Sequence, residues 1–156
     1  MAQAETRIRR AYKRDISEIC RIAQVLRLPI RGFYWHERAV IAPAVRCGQF
    51  FVAIDSNDEV VGILWLRAHS RNSFAMVIES LAVAPERKGQ GIGTALVEFA
   101  KRIAKGSRKV TLAVNSFWQY GVKDFYLKQG FHLLEPVGVW NGHKYHRFIM
   151  SLSAVS

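Results

Sequence analysis

Three glycines alternate with other residues in Pro85-Glu86-Arg87-Lys88-Gly89-Gln90-Gly91-Ile92-Gly93-Thr94. The turn follows an apolar run, residues 77–83, and opens a run with helical periodicity. Backbone N–H groups at a helix start are free, and the helix dipole there favours an anion. Glycine lets the chain approach a phosphate closely and take up positive φ. Arg87 and Lys88 add positive charge beside the turn. The chemistry these residues suggest is binding of a pyrophosphate-bearing ligand. A plain strand-to-helix turn is the competing reading.

Other phosphate motifs fit less well. A P-loop needs a Lys before the Ser/Thr, and here Gly93 precedes Thr94 directly. A dinucleotide fingerprint spaces its glycines Gly-x-Gly-x-x-Gly in an early βαβ unit. Here the spacing is Gly-x-Gly-x-Gly, past the middle of the chain.

A second cluster lies about 30 residues on: Phe125, Tyr126, Gly130 and Phe131. With the lead-in from Ile78 to Glu86, the two clusters resemble the GCN5-related N-acetyltransferase (GNAT) family. That family's phosphate loop, Gln/Arg-x-x-Gly-x-Gly/Ala, falls on Lys88, Gly91 and Gly93. Its Phe-Tyr-x-x-x-Gly-Phe signature falls on Phe125, Tyr126, Gly130 and Phe131. The resemblance runs through most of the chain and is strongest over residues 79–131. Two departures stand out. Lys88 replaces the usual Arg or Gln and lacks the guanidinium fork. Gln119 and Val122 occupy the positions of the family's Asn-x-x-Ala.

The elements that must position these residues follow from periodicity. Residues 6–10 read as a first strand. Asp15 is suited to cap a helix, and Ile16, Ile19, Cys20, Ala23 and Leu26 then recur at helical spacing up to Leu28-Pro29. Residues 35–45 read as a second helix weakened by Pro43. Residues 49–55 and 60–68 are β-rich around a turn at 56–59. Residues 73–83 form the strand that enters the glycine turn. Ile92, Ala95, Leu96, Phe99, Ala100 and Ile103 mark the core face of the helix after it. Residues 110–114 read as a short strand and 120–129 as a helix. Residues 131–137 and 144–152 read as strands joined by an Asn141-Gly142 hairpin turn. This order predicts a mixed α/β (α+β) fold with a largely antiparallel central sheet flanked by helices. The resemblance implies the acyl-CoA N-acyltransferase architecture.

Residue roles also follow from the resemblance. Acetyl-CoA is the implied cosubstrate, lying between strands 73–83 and 110–114. Its pantetheine arm would pair with the backbone of Leu81, Ala82 and Val83. Its pyrophosphate would meet Arg87, Lys88, Gly89, Gln90, Gly91, Ile92, Gly93 and Thr94. Attack of an amine on a thioester needs a proton acceptor, because alkyl amines are protonated at neutral pH. Glu79 is the candidate general base, directly or through water, and an apolar strand around it would raise its pKa. Pairing with a basic residue is its bland alternative. Tyr126 is the candidate general acid for the leaving thiolate, against a role as a core aromatic. Asn115 would contact pantetheine or acceptor, or cap the following segment. The reaction requires no metal.

The chain has 156 residues, half of them hydrophobic, which suits one domain over residues 1–156; the resemblance implies that it is an N-acetyltransferase domain. The polar N-terminus and the lack of a long apolar run argue against a secretory leader and a transmembrane helix. Two cysteines, Cys20 and Cys47, show no metal spacing and suit a reduced, cytoplasmic compartment. The net charge of +11 favours anionic partners, and the polyanion CoA accounts for part of it. Nucleic acid or a ribosome is the alternative partner, with spread charge and no motif to support it. A non-catalytic acyl-CoA-binding module is another alternative. The resemblance implies a homodimer by default. The acceptor, a small-molecule or peptide amine, would meet aromatic-rich segments 28–36 and 140–145. These hold few acids, which argues against a polycation.

Overall fold

The computed structural model describes residues 6–152. The polar N-terminal segment 1–5 lies outside the described residues. The strands are β1 (Arg7–Arg10), β2 (Phe50–Ile54), β3 (Val60–Ala68), β4 (Ala75–Val83), β5 (Thr111–Phe117), β6 (His132–Trp140) and β7 (His143–Ser151). The helices are α1 (Ile16–Ala23), α2 (Arg38–Arg46), α3 (Ile92–Gly106) and α4 (Lys123–Lys128). One sheet holds all seven strands in the order β1-β2-β3-β4-β5-β7-β6. Every pairing is antiparallel except β4 with β5.

The apolar pattern of β3 explains why the sheet is covered on both faces at its centre. Val60, Ile63 and Trp65 pack with Ile16, Ile19, Ile22 and Ile41 of α1 and α2. Val61, Leu64 and Leu66 pack with Ile92, Leu96, Val97 and Ala100 of α3. Ile19, Ile22, Ile63, Leu64 and Leu96 have no exposed surface. Each such side chain contributes roughly 1.5–3 kcal/mol of hydrophobic stabilisation.

Local details depart from the sequence expectations. Asp15 does not cap α1 with its side chain. Its carboxylate instead accepts the Tyr12 N–H at 2.7 Å and the Arg9 guanidinium at 2.7 and 3.1 Å. Burial alone would raise the Asp15 pKa, but Arg9 and the Tyr12 amide outweigh it and hold the group below the usual range. α1 stops at Ala23 and a single 3-10 turn continues to Leu26. α2 begins at Arg38, not residue 35, and runs through Pro43. Pro43 and Ala39 are both exposed, so the carbonyl that loses its helical donor faces water. α4 starts at Lys123 after a 3-10 turn, Trp118–Tyr120. β5 reaches Phe117 instead of ending near residue 114, because β7 pairs with it as far as Phe117↔Tyr145.

Candidate active site

β4 and β5 are paired only from Ala75↔Thr111 to Ile78↔Val114. At the next position the register of β4 on β3 shifts: Trp65 faces Ser80 and Leu66 faces Ile78, leaving Glu79 as the extra residue of a β-bulge. Beyond the bulge β4 stays with β3, and β5 stays with β7. The two parallel strands therefore part at Glu79. A cavity of about 1010 Å³ occupies the opening. It is lined by residues 79–83 on one side and 114–117 on the other.

The parted strand offers main-chain groups. The Ala84 N–H donates to the Val61 carbonyl at 2.9 Å. Alternation then turns Ala82 toward β3 and leaves the N–H and C=O of Leu81 and Val83 facing the opening. Of the three residues expected to pair with a cofactor arm, Ala82 thus points its main chain the other way.

The glycine turn closes one end of the cavity. A 3-10 turn, Pro85–Arg87, leads into Gly89 and Gly91, both at φ +80°, and α3 starts at Ile92. An added Cβ at Gly89 or Gly91 would meet nothing within 4 Å, so left-handed backbone is the reason for glycine there. The first helical bond runs from Ala95 N–H to the Gly91 carbonyl. Among the described residues the six amides of 89–94 have no protein acceptor. They form a row of donors at the positive end of a 15-residue helix. Gly93 serves a different purpose. A Cβ there would lie 3.3 Å from the Phe125 ring, so the two sequence signatures meet in space.

Side chains of the turn do less than the main chain. Ile92 is buried in the core, and Gln90 does not line the cavity. Thr94 Oγ1 accepts from Gln129 Nε2 at 3.0 Å. Lys88 lines the cavity and is exposed. The Arg87 guanidinium is bound to the Asp55 carboxylate. Asp55 also accepts the amides of Glu59 at 3.0 Å and Asn57 at 2.9 Å. The Glu59 and Asn57 amides, then Arg87, hold its carboxyl below the usual range. Arg87 thus ties the turn to the β2–β3 hairpin. The sequence signal for Asp55 was an acid directly before a Ser-Asn-Asp turn.

Glu79 and Tyr126 line the same cavity. Glu79 is not in apolar surroundings, contrary to the sequence expectation. Its Oε1 accepts the Trp35 indole N–H at 2.8 Å and its Oε2 accepts Arg67 Nε at 2.9 Å, with Nη2 of the same guanidinium 2.9 Å from Oε2 in the ion pair. A carboxylate has about four acceptor positions, so acceptor capacity remains. Arg67 carried no motif and was missed. Tyr126 is buried among Phe125, Phe131 and Phe148. Its hydroxyl has no hydrogen-bond partner among the described residues. Burial pushes its pKa up, so it remains a proton donor at neutral pH. Asn115 is exposed in mid-strand opposite Arg147, lines the cavity and caps nothing.

The two aromatic segments also converge. Trp35 meets Trp140 edge-on at 5.1 Å and Phe117 at 5.9 Å. Asn141 Nδ2 donates to the Arg31 carbonyl at 2.8 Å, and the Tyr120 hydroxyl donates to the Leu26 carbonyl. Trp35, Phe117, Trp140 and Tyr145 thereby wall the cavity beside Glu79. Among the described residues no three His, Cys, Asp or Glu side chains come together as a metal site, and no helix is long and apolar enough to cross a membrane.

Solved structures of known proteins share this fold. Ard1 from Thermoplasma volcanium is 20% identical, with 96% of this chain and 99% of that chain covered and a TM-score of 0.79. Rv2747 from Mycobacterium tuberculosis, solved with CoA, is 22% identical over 94% and 99% of the two chains, TM-score 0.77. The yncA protein of Salmonella typhimurium, solved with acetyl-CoA, is 19% identical over 98% and 97%, TM-score 0.74. These likenesses are of fold. No curated protein matches the sequence. The model of the acetyltransferase (GNAT) domain matches residues 46–133, more than half of the chain. The chain belongs to the GNAT acetyltransferase family.

Proposed function

We propose that this protein transfers the acetyl group of acetyl-CoA to a primary amine by direct attack within a ternary complex. The observation that carries the reading is the parting of β4 and β5 at Glu79, with six free amides at one end of the opening. The residues fit the cosubstrate. The amides of 89–94 match a pyrophosphate, with Lys88 adding charge. The edge groups of Leu81 and Val83 match an amide-bearing arm laid along the strand. Arg87, spent on Asp55, holds the turn in shape and is not a direct anion contact.

Acetyl-CoA supplies the acyl carbon as an activated thioester. Glu79 accepts the proton of the attacking amine, directly or through one water, at the acceptor position that Trp35 and Arg67 leave free. An amide N–H of the β4 edge, at Leu81 or Val83, faces the negative charge that develops on the carbonyl oxygen. The C–N bond forms, the C–S bond breaks, and the Tyr126 hydroxyl gives its proton to the departing sulfur. Asn115 lies across the opening, within the part of the cavity open to the acceptor. The products are an N-acetyl amine and free CoA thiol.

Titration of the protein with acetyl-CoA by calorimetry at moderate salt, followed by a thiol-release assay over a panel of amines, tests the reading. Binding and acceptor-dependent thiol release are the expected results. No binding refutes it. Binding without release for any amine would favour a non-catalytic acyl-CoA module.

A further inference from the structure

The face of the sheet that α1 and α2 cover over β1–β3 continues past β4 as the floor of the cavity. Register fixes which side chains share it: Arg67 opposite Val77, Val77 opposite Ala113, Ala113 opposite Ile149, and Asn115 opposite Arg147. All six line the cavity. Two guanidiniums and one carboxylate, Glu79, therefore face this side. Arg67 is paired with Glu79. Arg147 is half-buried and has no carboxylate within ion-pair distance among the described residues. Its one hydrogen bond, to the Pro136 carbonyl, is long at 3.4 Å.

A guanidinium with no acid partner, on the floor of a cavity walled by Trp35, Trp140 and Tyr145, is built for a planar anion. It also repels a polycation. Glu79 lies one residue past Ile78↔Val114, and Arg147 lies opposite Asn115. The two are thus level along the strands, on opposite sides of the opening with β5 between them. We infer that the acceptor is an amine that also bears a carboxylate, with the carboxylate held by Arg147 and the amine delivered to Glu79. The inference rests on the acetyltransferase reading above. The carboxylate has two sources: the α-carboxylate of a free amino acid, or an acidic side chain at a peptide N-terminus.

The test measures kcat/KM for thiol release with matched acceptors. One arm compares free amino acids with their carboxamides. The other compares C-terminally amidated dipeptides that begin with Asp or Glu with those that begin with Asn or Gln. The protein should prefer the acid roughly 10- to 100-fold in one arm, the size of a charge-assisted hydrogen-bonded pair. Arg147→Gln should erase that preference by lowering the rate with acids alone, and Arg147→Lys should restore part of it. Acetyl-CoA affinity, measured on each variant, should not change. Equal rates for acids and amides, no turnover of any carboxylate-bearing amine, or an acid preference that survives Arg147→Gln overturns the inference. Failure of the parent protein to bind acetyl-CoA instead overturns the reading on which it rests.

Discussion

The two ends of the cavity are built from different materials. At the phosphate end the working groups are main chain: the row of amides at 89–94 and the free edge of Leu81 and Val83. They come from one continuous stretch, and a left-handed backbone shapes it. At the acceptor end the working groups are side chains from separate places: Trp35 after α1, Arg67 on β3, Glu79 on β4, Phe117 and Asn115 on β5, and Trp140, Tyr145 and Arg147 on the last hairpin. A main-chain site tolerates changes of side chain and fails when the backbone changes. A side-chain site does the reverse. The difference predicts which substitutions separate cofactor affinity from turnover.

Gly91→Glu should have the largest effect. It forces an L-residue to φ +80° and puts a carboxylate beside the amide row. Acetyl-CoA affinity should fall at least about 100-fold by calorimetry, the equivalent of losing one or two charge-assisted hydrogen bonds. Gly91→Ala separates the two causes. It should cost about 1–2 kcal/mol of stability for the left-handed backbone, with a smaller loss of affinity. Trp140→Ala, at the other end, should leave acetyl-CoA affinity within about twofold, since distant sites act independently. Equal losses from Gly91→Glu and Trp140→Ala would dissolve the distinction between the two ends.

Tyr126→Phe comes next. The ring stays packed on Phe148 and only the proton donor goes. The rate of the chemical step should fall about 100-fold with acetyl-CoA affinity unchanged. Burial raises the phenol pKa above its ordinary value of 10.0. The protonated form is therefore favoured by the fold, and its contribution to stability is present below pH 10 and is lost only as pH rises through the higher folded value. A kcat profile that falls below pH 9 and flattens in Tyr126→Phe would contradict this assignment.

The same division explains what was legible in the sequence. The phosphate end is local, so Gly89, Gly91 and the helix pattern from Ile92 stand together in the chain and announce themselves. The mixed, largely antiparallel sheet was also readable, because each strand carries its own periodicity and turns such as Asn141-Gly142 punctuate them. The acceptor end is assembled by pairing between strands far apart in sequence. Arg67 meets Glu79 across the β3–β4 pair, and Arg147 meets Asn115 across β5–β7. No spacing reveals either. Asp15 shows a related limit: its type signalled a cap on α1, but its carboxylate closes the capping box one turn earlier, on the Tyr12 N–H, and pairs there with Arg9 of β1. Segment 28–36 read partly as helix, and tertiary contacts with Trp140 and Phe117 hold its aromatics in a loop instead.

Trp35→Phe sharpens the comparison from the acceptor end. It keeps an aromatic ring against Trp140 and removes the N–H that orients Glu79 Oε1. Loss of one hydrogen bond to a charged group corresponds to roughly a 10-fold fall in kcat/KM. Acetyl-CoA affinity should hold. Restoring the rate by adding a second substitution that returns a donor near Oε1 would show that orientation, not packing, was lost. A fall in acetyl-CoA affinity of the same size would mean that Glu79 also supports the β4 edge.

Asp55→Asn should give the smallest effect and the most informative one, because it removes a side-chain support of the main-chain site. Asp55 holds Arg87, and through it the start of the glycine turn. Asparagine keeps the amide-accepting oxygen for Asn57 and Glu59 but loses the charge. The turn is still fixed by Gly91, by the first bond of α3 and by Phe125 against Gly93. Acetyl-CoA affinity should therefore drop only about threefold to tenfold, within the range of one exposed or partly exposed ion pair. The pH dependence gives the sign. The Asp55 pKa is lowered by folding from its ordinary 3.8, so its stabilisation is complete above that value and is lost as pH falls through the folded value. Acid denaturation of the parent should accordingly include this group, and Asp55→Asn should unfold with a shallower dependence on pH below 4. If affinity instead collapses as it does in Gly91→Glu, the phosphate end depends on an ion pair as much as on backbone shape, and the two ends of the cavity are alike in kind.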